Sequence, residues 1–452
     1  MLTWVRSLAA AAAALAGLSG CGEPEPPAPR PSNVLLISID TLRADHLGSY
    51  GYERDTSPFL DRLAAEGVVF EHAHSTAPLT APAHASLLSG LYPRKHQVRS
   101  FGPSVPTRYG TLASLLGEQG YATAAVVNMA ALAPMQRGFE RWMLVPHARG
   151  SRATGRMVAA RALASLEESA LPYFLFLHFY DVHSDYDPRP EYVQLFAESY
   201  DGPATGATRQ LSAFRTGEIQ LGLGDARHLM NLYDAGIRQL DDELARLFQE
   251  LESGGHLEDT LLVITSDHGE EFLEHGSFLH GRTLHQELVR VPLIFWGAGV
   301  PAGVRIEQPV SLVDVLPTLL TRVGAPLPEH IDGIDVSALW WLEDPAASER
   351  PIFAEADNWI ANEDRNFRRA VRLGPWTLHY DAESDSAALY DLRSDPLEQR
   401  DRSGENPQLA AQLRLALARF LPRSQRKAPP PPPAELLETL RQLGYLEAEE
   451  SP

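Results

Sequence analysis

From Asn33 onward the chain alternates between short unbroken apolar runs and longer stretches with apolar residues three and four apart. The runs are NVLLISID (33–40), ATAAVVN (122–128), YFLFLHFYD (173–181), TLLVITSD (260–267) and VPLIFWG (291–297). Each is rich in Val, Ile, Leu, Ala or Phe, and most stop sharply at a polar residue. That is how strands buried on both faces read, as in a parallel sheet. Between them, TSPFLDRLAAEG (56–67) opens on Thr and Ser, carries Pro in its first turn and ends on Gly, which predicts a helix. GTLASLLGEQG (110–120) is punctuated in a similar way, and 229–251 places Leu232, Ile237, Leu240, Leu244 and Leu247 in a strongly amphipathic pattern. Strands alternating with helices predict an α/β fold, a large parallel or mixed sheet sandwiched by helices.

Near Arg350 the period shortens. FRRAVRLGPWTLHY (367–380) and SAALYDL (386–392) alternate residue by residue, which predicts a small antiparallel sheet, and a helix follows near Gln408–Phe420. The expected organisation is a large α/β domain over 33–345 and a small C-terminal α+β subdomain over 346–425. A Pro-rich tail over 426–452 ends in the amphipathic turn AELLETLRQLGYL.

Composition adds bounds. The 452 residues, 44% hydrophobic with 14 Tyr, 16 Phe and 7 Trp, supply core for one large domain with an appendage. A net charge of −20 argues against binding a nucleic-acid backbone. At the start, Arg6 precedes an apolar stretch, Leu8 to Leu18, too short to span a bilayer comfortably. It ends in Leu18-Ser19-Gly20-Cys21, which resembles a bacterial lipoprotein signal. Residues 1–20 would then be a signal peptide and Cys21 the lipidated residue; an ordinary secretory signal or a short anchor is the plainer alternative. Cys21 is the single Cys, so no intramolecular disulfide and no Cys-based metal site is available. Residues 21–32 read as a Pro-rich tether. Gly22, in place of an Asp after the Cys, points to the outer membrane, facing the periplasm, as the anchoring surface.

In open α/β sheets ligands bind beyond the carboxyl ends of the strands. Those ends here carry Asp40, Asn128, Asp181 with His183, and Asp267-His268-Gly269. Such oxygen and nitrogen donors suit divalent cations. Each has a bland reading: Asp40 as a helix cap, Asp-His-Gly as a turn, His183 as a packed histidine. Their joint arrival at strand ends favours a site. In LTAPAHASLLSG (79–90), Thr80 opens a short helix whose N–H groups and dipole favour an anion. Alone it would be an N-cap. Beside the carboxylates it reads as a nucleophile, and a Thr hydroxyl needs a cation against its oxygen to attack an ester at neutral pH.

Taken in order, IDTLRADHLGSYGY (39–52), TAPAHASLLSGLYP (80–93), FYDVHSDYDP (179–188), YDAGIRQLD (233–241), TSDHGEEFLEHG (265–276) and HGRTLHQELVRVPLI (280–294) resemble the sulfatase family of the alkaline phosphatase superfamily. The likeness runs from Asn33 to about Asp401. It implies one divalent metal ion, Ca²⁺ or Mn²⁺ with Zn²⁺ as a further option, held by Asp40, Asp267 and His268. Thr41 stands where many members carry a second Asp. His183 matches a histidine that contacts the sulfate or phosphate oxygens, and His280 falls near a substrate-binding Lys and is expected to donate to the leaving group. Asn128 and Asp181 are expected to bind substrate.

The family's Cys–x–Pro–x–Arg becomes Thr80 and His84 here. Thr cannot become formylglycine, so that cofactor is not expected. A Thr nucleophile instead resembles related phosphodiesterases and phosphoethanolamine-type transferases. The expectation is a hydrolase of a phosphate or sulfate ester of a sugar, lipid or aryl group, with Thr80, His84, His183 and His280 catalytic. Alternatives are a sulfatase working through unmodified Thr, a transferase, and a degenerate protein that binds an anionic glycan or lipid head group without turnover. The 205–224 insertion and the C-terminal subdomain are expected to line the pocket.

Overall fold

The computed structural model describes residues 31–146, 154–342, 350–358 and 366–420. Cys21, the expected signal peptide over 1–20, nearly all of the expected tether over 21–32 and the tail over 426–452 lie outside them. The central sheet has eight strands: β1 (Asn33–Ile39), β2 (Val68–Phe70), β3 (Ala122–Val127), β4 (Arg141–Leu144), β5 (Tyr173–Phe179), β6 (Thr260–Thr265), β7 (Leu293–Gly297) and β8 (Val304–Ile306). Their spatial order is β8-β2-β7-β6-β1-β5-β3-β4. Strands β6, β1, β5, β3 and β4 are mutually parallel. β7 runs antiparallel to both β6 and β2. The apolar run alone could not reveal that reversal. Chain 266–292 stays at the carboxyl end of β6 rather than crossing back over a helix, so β7 must return in the opposite direction.

The double-sided burial expected of the apolar runs is present. Val34 and Leu36 of β1 enter one hydrophobic cluster, with Phe70, Leu87 and Phe176. Leu35, Ile37 and Ile39 enter the other, with Leu240 and Leu244. Each such buried aliphatic side chain contributes about 1.5–3 kcal/mol relative to exposure. The second face is covered largely by a helix, Leu223–Ser253, that buries Leu229, Tyr233, Ile237, Leu240, Leu244, Leu247 and Leu251 at intervals of three and four. No helix among the described residues is long and apolar enough to cross a membrane.

The C-terminal sheet is antiparallel, with strands β9 (Ile352–Asn358), β10 (Asn366–Leu373), β11 (Trp376–Asp381) and β12 (Ser386–Asp391) in sequential order. Alternation along β10 sends Val371 toward Leu413 and Leu417 of the helix Pro407–Phe420. Its neighbour Ala370 faces the other way, with Ala354 and Ala356, onto Leu284, Leu288 and Val289 of the large domain. The period-two pattern therefore serves two interfaces, one within the subdomain and one against the catalytic unit.

Candidate active site

Sheet register builds the site. Ser38 of β1 pairs with Thr265 of β6, so Asp40 and Asp267, each two residues further on, leave the sheet side by side. His268 follows directly. The donor atoms of Asp40, Asp267 and His268 all lie within 4.8 Å of one another, and all three residues are buried. Nδ1 of His268 donates to the carbonyl of Gly269 at 2.9 Å, which leaves Nε2 as the lone pair. That nitrogen is 3.3 Å from Asp267 Oδ2 and 3.8 Å from Asp40 Oδ1.

Thr80 starts the helix Thr80–Ser89, and its Oγ1 lies 3.3 Å from His268 Nε2. The family-pattern residue His84 sits one turn on. Its Nδ1 donates to the Thr80 carbonyl at 2.8 Å, and its Nε2 faces the Ser38 hydroxyl at 2.9 Å. It therefore fastens the helix start to β1, with its ring 3.5 Å from Asp267 Oδ2. His183 and His280 stand edge to face at 5.1 Å, and His280 is 4.3 Å from His268 between ring centroids. His280 Nδ1 is 2.9 Å from Glu270 Oε1, whose other oxygen accepts from Tyr186 at 2.8 Å.

Asn128 and Asp181, expected at the substrate, lie one layer back. Asp181 accepts from Thr154 Oγ1 at 2.9 Å and from the Gly155 amide at 2.8 Å. Asn128 donates to Asp181 at 3.4 Å and presents Oδ1 to His178 Nδ1 at 3.2 Å. In these contacts the pair orients His178. The 205–224 insertion contributes the helix Thr208–Arg215, whose Arg215 reaches the His280 carbonyl at 3.3 Å.

Sequence reading missed His178, the one imidazole inside an otherwise apolar strand. It is level with Ser38 of β1, and its Nε2 lies 3.3 Å from Asp40 Oδ2. A polar residue in a run whose neighbours are all buried was the available signal. It also missed Glu270, next to Asp267-His268-Gly269. Tyr233 lies within the YDAGIRQLD stretch, and its hydroxyl donates to the Thr41 carbonyl at 2.6 Å and accepts from the Arg43 amide at 2.9 Å. Those bonds hold Thr41 at φ 59°, a left-handed conformation unfavourable for a β-branched residue.

Electrostatics mark the centre. Burial, then the neighbouring Asp267, push Asp40 well above the ordinary carboxylate range. Burial would raise Asp267 too, but His268, His84 and His178 around it bring it below. Burial and the adjacent His280 lower His183 to about 3. Among the described residues, both oxygens of Asp40, Oδ2 of Asp267, Oγ1 of Thr41 and Nε2 of His178 are buried and make no hydrogen bond. Unpaired buried carboxylate oxygens are costly. Their convergence with a bare imidazole nitrogen is what a divalent cation site requires, and the donor set fits such an ion.

Comparison with known proteins agrees with this architecture. A sequence model of the Sulfatase family matches residues 32–325. A second, for the C-terminal part of N-sulphoglucosamine sulphohydrolase, matches residues 273–423. Human arylsulfatase A is 28% identical, covering 81% of this chain and 82% of its own. Choline-sulfatase of Rhizobium meliloti is 26% identical, covering 83% of each. Among solved structures, a 2-O GAG sulfatase superposes with TM-score 0.74 at 22% identity, over 93% of this chain and 98% of that one. A phosphonate monoester hydrolase of Agrobacterium radiobacter does so with TM-score 0.71 at 23% identity, over 91% and 96%.

Proposed function

The chain belongs to the sulfatase family of hydrolases, and from that footing we propose that it cleaves small phosphate or sulfate esters with Thr80 as nucleophile. The carrying observation is Thr80 Oγ1 at 3.3 Å from His268 Nε2, beside carboxylate oxygens that have no hydrogen-bond partner among the described residues. Asp40, Asp267 and His268 would hold the divalent ion. When bound, it supplies a lowered hydroxyl pKa at Thr80 and charge neutralisation on the ester.

The protein's own groups do the rest. The start of the Thr80–Ser89 helix turns backbone N–H groups toward an incoming anion. Thr80 Oγ1 forms a bond to phosphorus or sulfur while the ester oxygen leaves, and water later breaks that bond to restore the hydroxyl. His280 Nδ1 is held by Glu270, so its Nε2 would take up the proton that the Thr80 hydroxyl releases and pass it to the leaving oxygen. His183, beside it, turns Nδ1 to the Ser184 carbonyl and Nε2 to the Tyr180 hydroxyl at 3.3 Å, and would hold a non-bridging oxygen once Nε2 takes up a proton from the site.

Two considerations bear on the ester. The names of the curated relatives favour sulfate. The unmodified Thr favours phosphoryl groups, because a sulfated Thr lacks the second hydroxyl by which formylglycine expels sulfate. Attachment to the bacterial outer membrane through a lipid on Cys21 is part of the same proposal and rests on the N-terminal sequence. Labelling with a fatty-acid analogue, lost in Cys21→Ala, tests it.

Rates on an aryl phosphodiester, an aryl phosphate and an aryl sulfate, with Ca²⁺, Mn²⁺ or Zn²⁺, beside Thr80→Ala, test the chemistry. Phosphoester turnover that is fastest and absent in Thr80→Ala is expected. Unchanged turnover in that variant would remove Thr80 from the mechanism, and sulfate as the fastest substrate would overturn the phosphoryl preference.

A further inference from the structure

A second group of metal-ligand side chains lies where the catalytic unit meets the C-terminal sheet. His275, His285 and Glu287 bring one donor atom each within 4.8 Å of one another. Glu287 Oε1 is 2.7 Å from His275 Nδ1 and 3.9 Å from His285 Nδ1, so both rings turn the same nitrogen toward one carboxylate. The two rings stack with centroids 3.5 Å apart. Glu287 is 3% exposed. Its Oε2, and Nδ1 of His285, are buried and make no hydrogen bond among the described residues.

Tautomers narrow the possibilities. His275 Nε2 lies 3.3 Å from the carbonyl of Glu398, an acceptor, and 3.4 Å from the side-chain amide nitrogen of Gln399, a donor; the shorter contact puts the hydrogen on Nε2. Nδ1 of a neutral His275 would then aim a lone pair at a carboxylate oxygen. A proton between them would satisfy that one contact but leave His285 Nδ1 and Glu287 Oε2 unpartnered. One cation against all three residues satisfies every one of these atoms. The carbonyl behind His275 is the kind of outer support that orients ligating imidazoles.

We propose that His275, His285 and Glu287 form a second metal site, separate from the catalytic one and of the imidazole–carboxylate class that takes Zn²⁺. Its place in the chain suggests its job. His275 and His285 each lie five residues from His280, so an ion between them clasps both ends of the loop that carries His280. The C-terminal subdomain braces this clasp. Glu398 accepts from the Gln286 amide at 2.9 Å and pairs with His379 Nε2 at 3.0 Å, and His379 stacks on His285 at 4.7 Å.

The test uses the full chain with Asp267→Asn and His268→Gln, which removes two catalytic donors and leaves the second site intact. After chelation and dialysis, Zn²⁺ is titrated by calorimetry and bound metal is counted by elemental analysis. One equivalent per chain is expected. It should be lost when His285→Gln is added and weakened about 10- to 100-fold by the shape-preserving Glu287→Gln. Zn²⁺ should also raise the unfolding midpoint of the doubly substituted chain by roughly 5 °C and slow amide exchange over 275–285 roughly tenfold. These last two readings need no change at the proposed site. No Zn²⁺ bound to the folded doubly substituted chain, or one equivalent still bound with unchanged affinity after either substitution at the second site, overturns the site. Unaltered exchange over 275–285 with Zn²⁺ bound overturns the clasp.

Discussion

Nε2 of His178 lies 3.3 Å from Oδ2 of Asp40, and the opposite nitrogen of the same ring faces Oδ1 of Asn128 at 3.2 Å. An amide oxygen only accepts, so His178 Nδ1 carries the hydrogen and a bare nitrogen is presented to the cation site. Asp181 fixes the amide of Asn128, and the Thr154–Gly155 helix start fixes Asp181. Asn128→Leu removes the oxygen that sets this tautomer while leaving the fold's apolar packing in place. Affinity for the divalent ion should fall about 10- to 100-fold. Metal titration of the stripped protein checks this, and unchanged affinity would show that the relay does not reach the site.

Thr41 offers a gain rather than a loss. Its φ of 59° suits Asp better than a β-branched residue, and its hydroxyl is buried beside Asp267 without a hydrogen-bond partner among the described residues. Thr41→Asp should bind Ca²⁺ about tenfold more tightly, since ligand charge count tunes Ca²⁺ affinity. The same variant should be less stable than wild type in chelator, because a third carboxylate joins two that already repel. Calorimetry with and without chelator measures both effects.

Tyr233 links the long helix to the loop after Asp40 through two hydrogen bonds on one hydroxyl. Tyr233→Phe keeps the ring and leaves a buried carbonyl and a buried amide unsatisfied. A loss of about 1–3 kcal/mol in unfolding free energy is expected. Metal affinity should weaken with it, because Thr41 is then free to relax. Denaturant unfolding reports the first effect, and a loss below the error of extrapolation would count against it.

Acid should destabilise the fold through His96. The Val98 amide donates to its Nδ1 at 3.0 Å, so Nε2–H faces the Ser86 hydroxyl at 2.9 Å and the ring is held neutral. Burial, with Arg99 nearby, lowers its pKa from 6.5 to about 3. A depressed folded pKa means that the contribution is fully present above about pH 6.5. It is lost as pH falls from there toward about 3, because only the unfolded chain takes up the proton in that window. The slope for this one group is roughly 1.4 kcal/mol per pH unit. Unfolding free energies at several pH values between 7 and 4.5 should show it, and His96→Gln should flatten that share of the slope.

The amino-acid pattern alone determined the α/β class, the element order and the residues at the strand ends. Each of these is a local property: NVLLISID and TLLVITSD are continuous apolar runs, and a polar residue ends each where the sheet ends. It also singled out Thr80, since a helix start is written in a few neighbouring residues. It could not determine which strand end faces which. The pairing of Ser38 with both Thr265 and His178 is a matter of register, settled by how three strands pack between two apolar layers. Register made His178 a partner of Asp40, set Asn128 and Asp181 behind it, and turned β7 back against β6. The His275–His285–Glu287 group depends on tertiary structure in the same way. Its members stand within 13 residues of one another in sequence, but the carbonyl that fixes His275 arrives from Glu398, more than a hundred residues later. Hydrophobic periodicity sorts residues into inside and outside; only close packing in three dimensions decides which buried polar atoms meet.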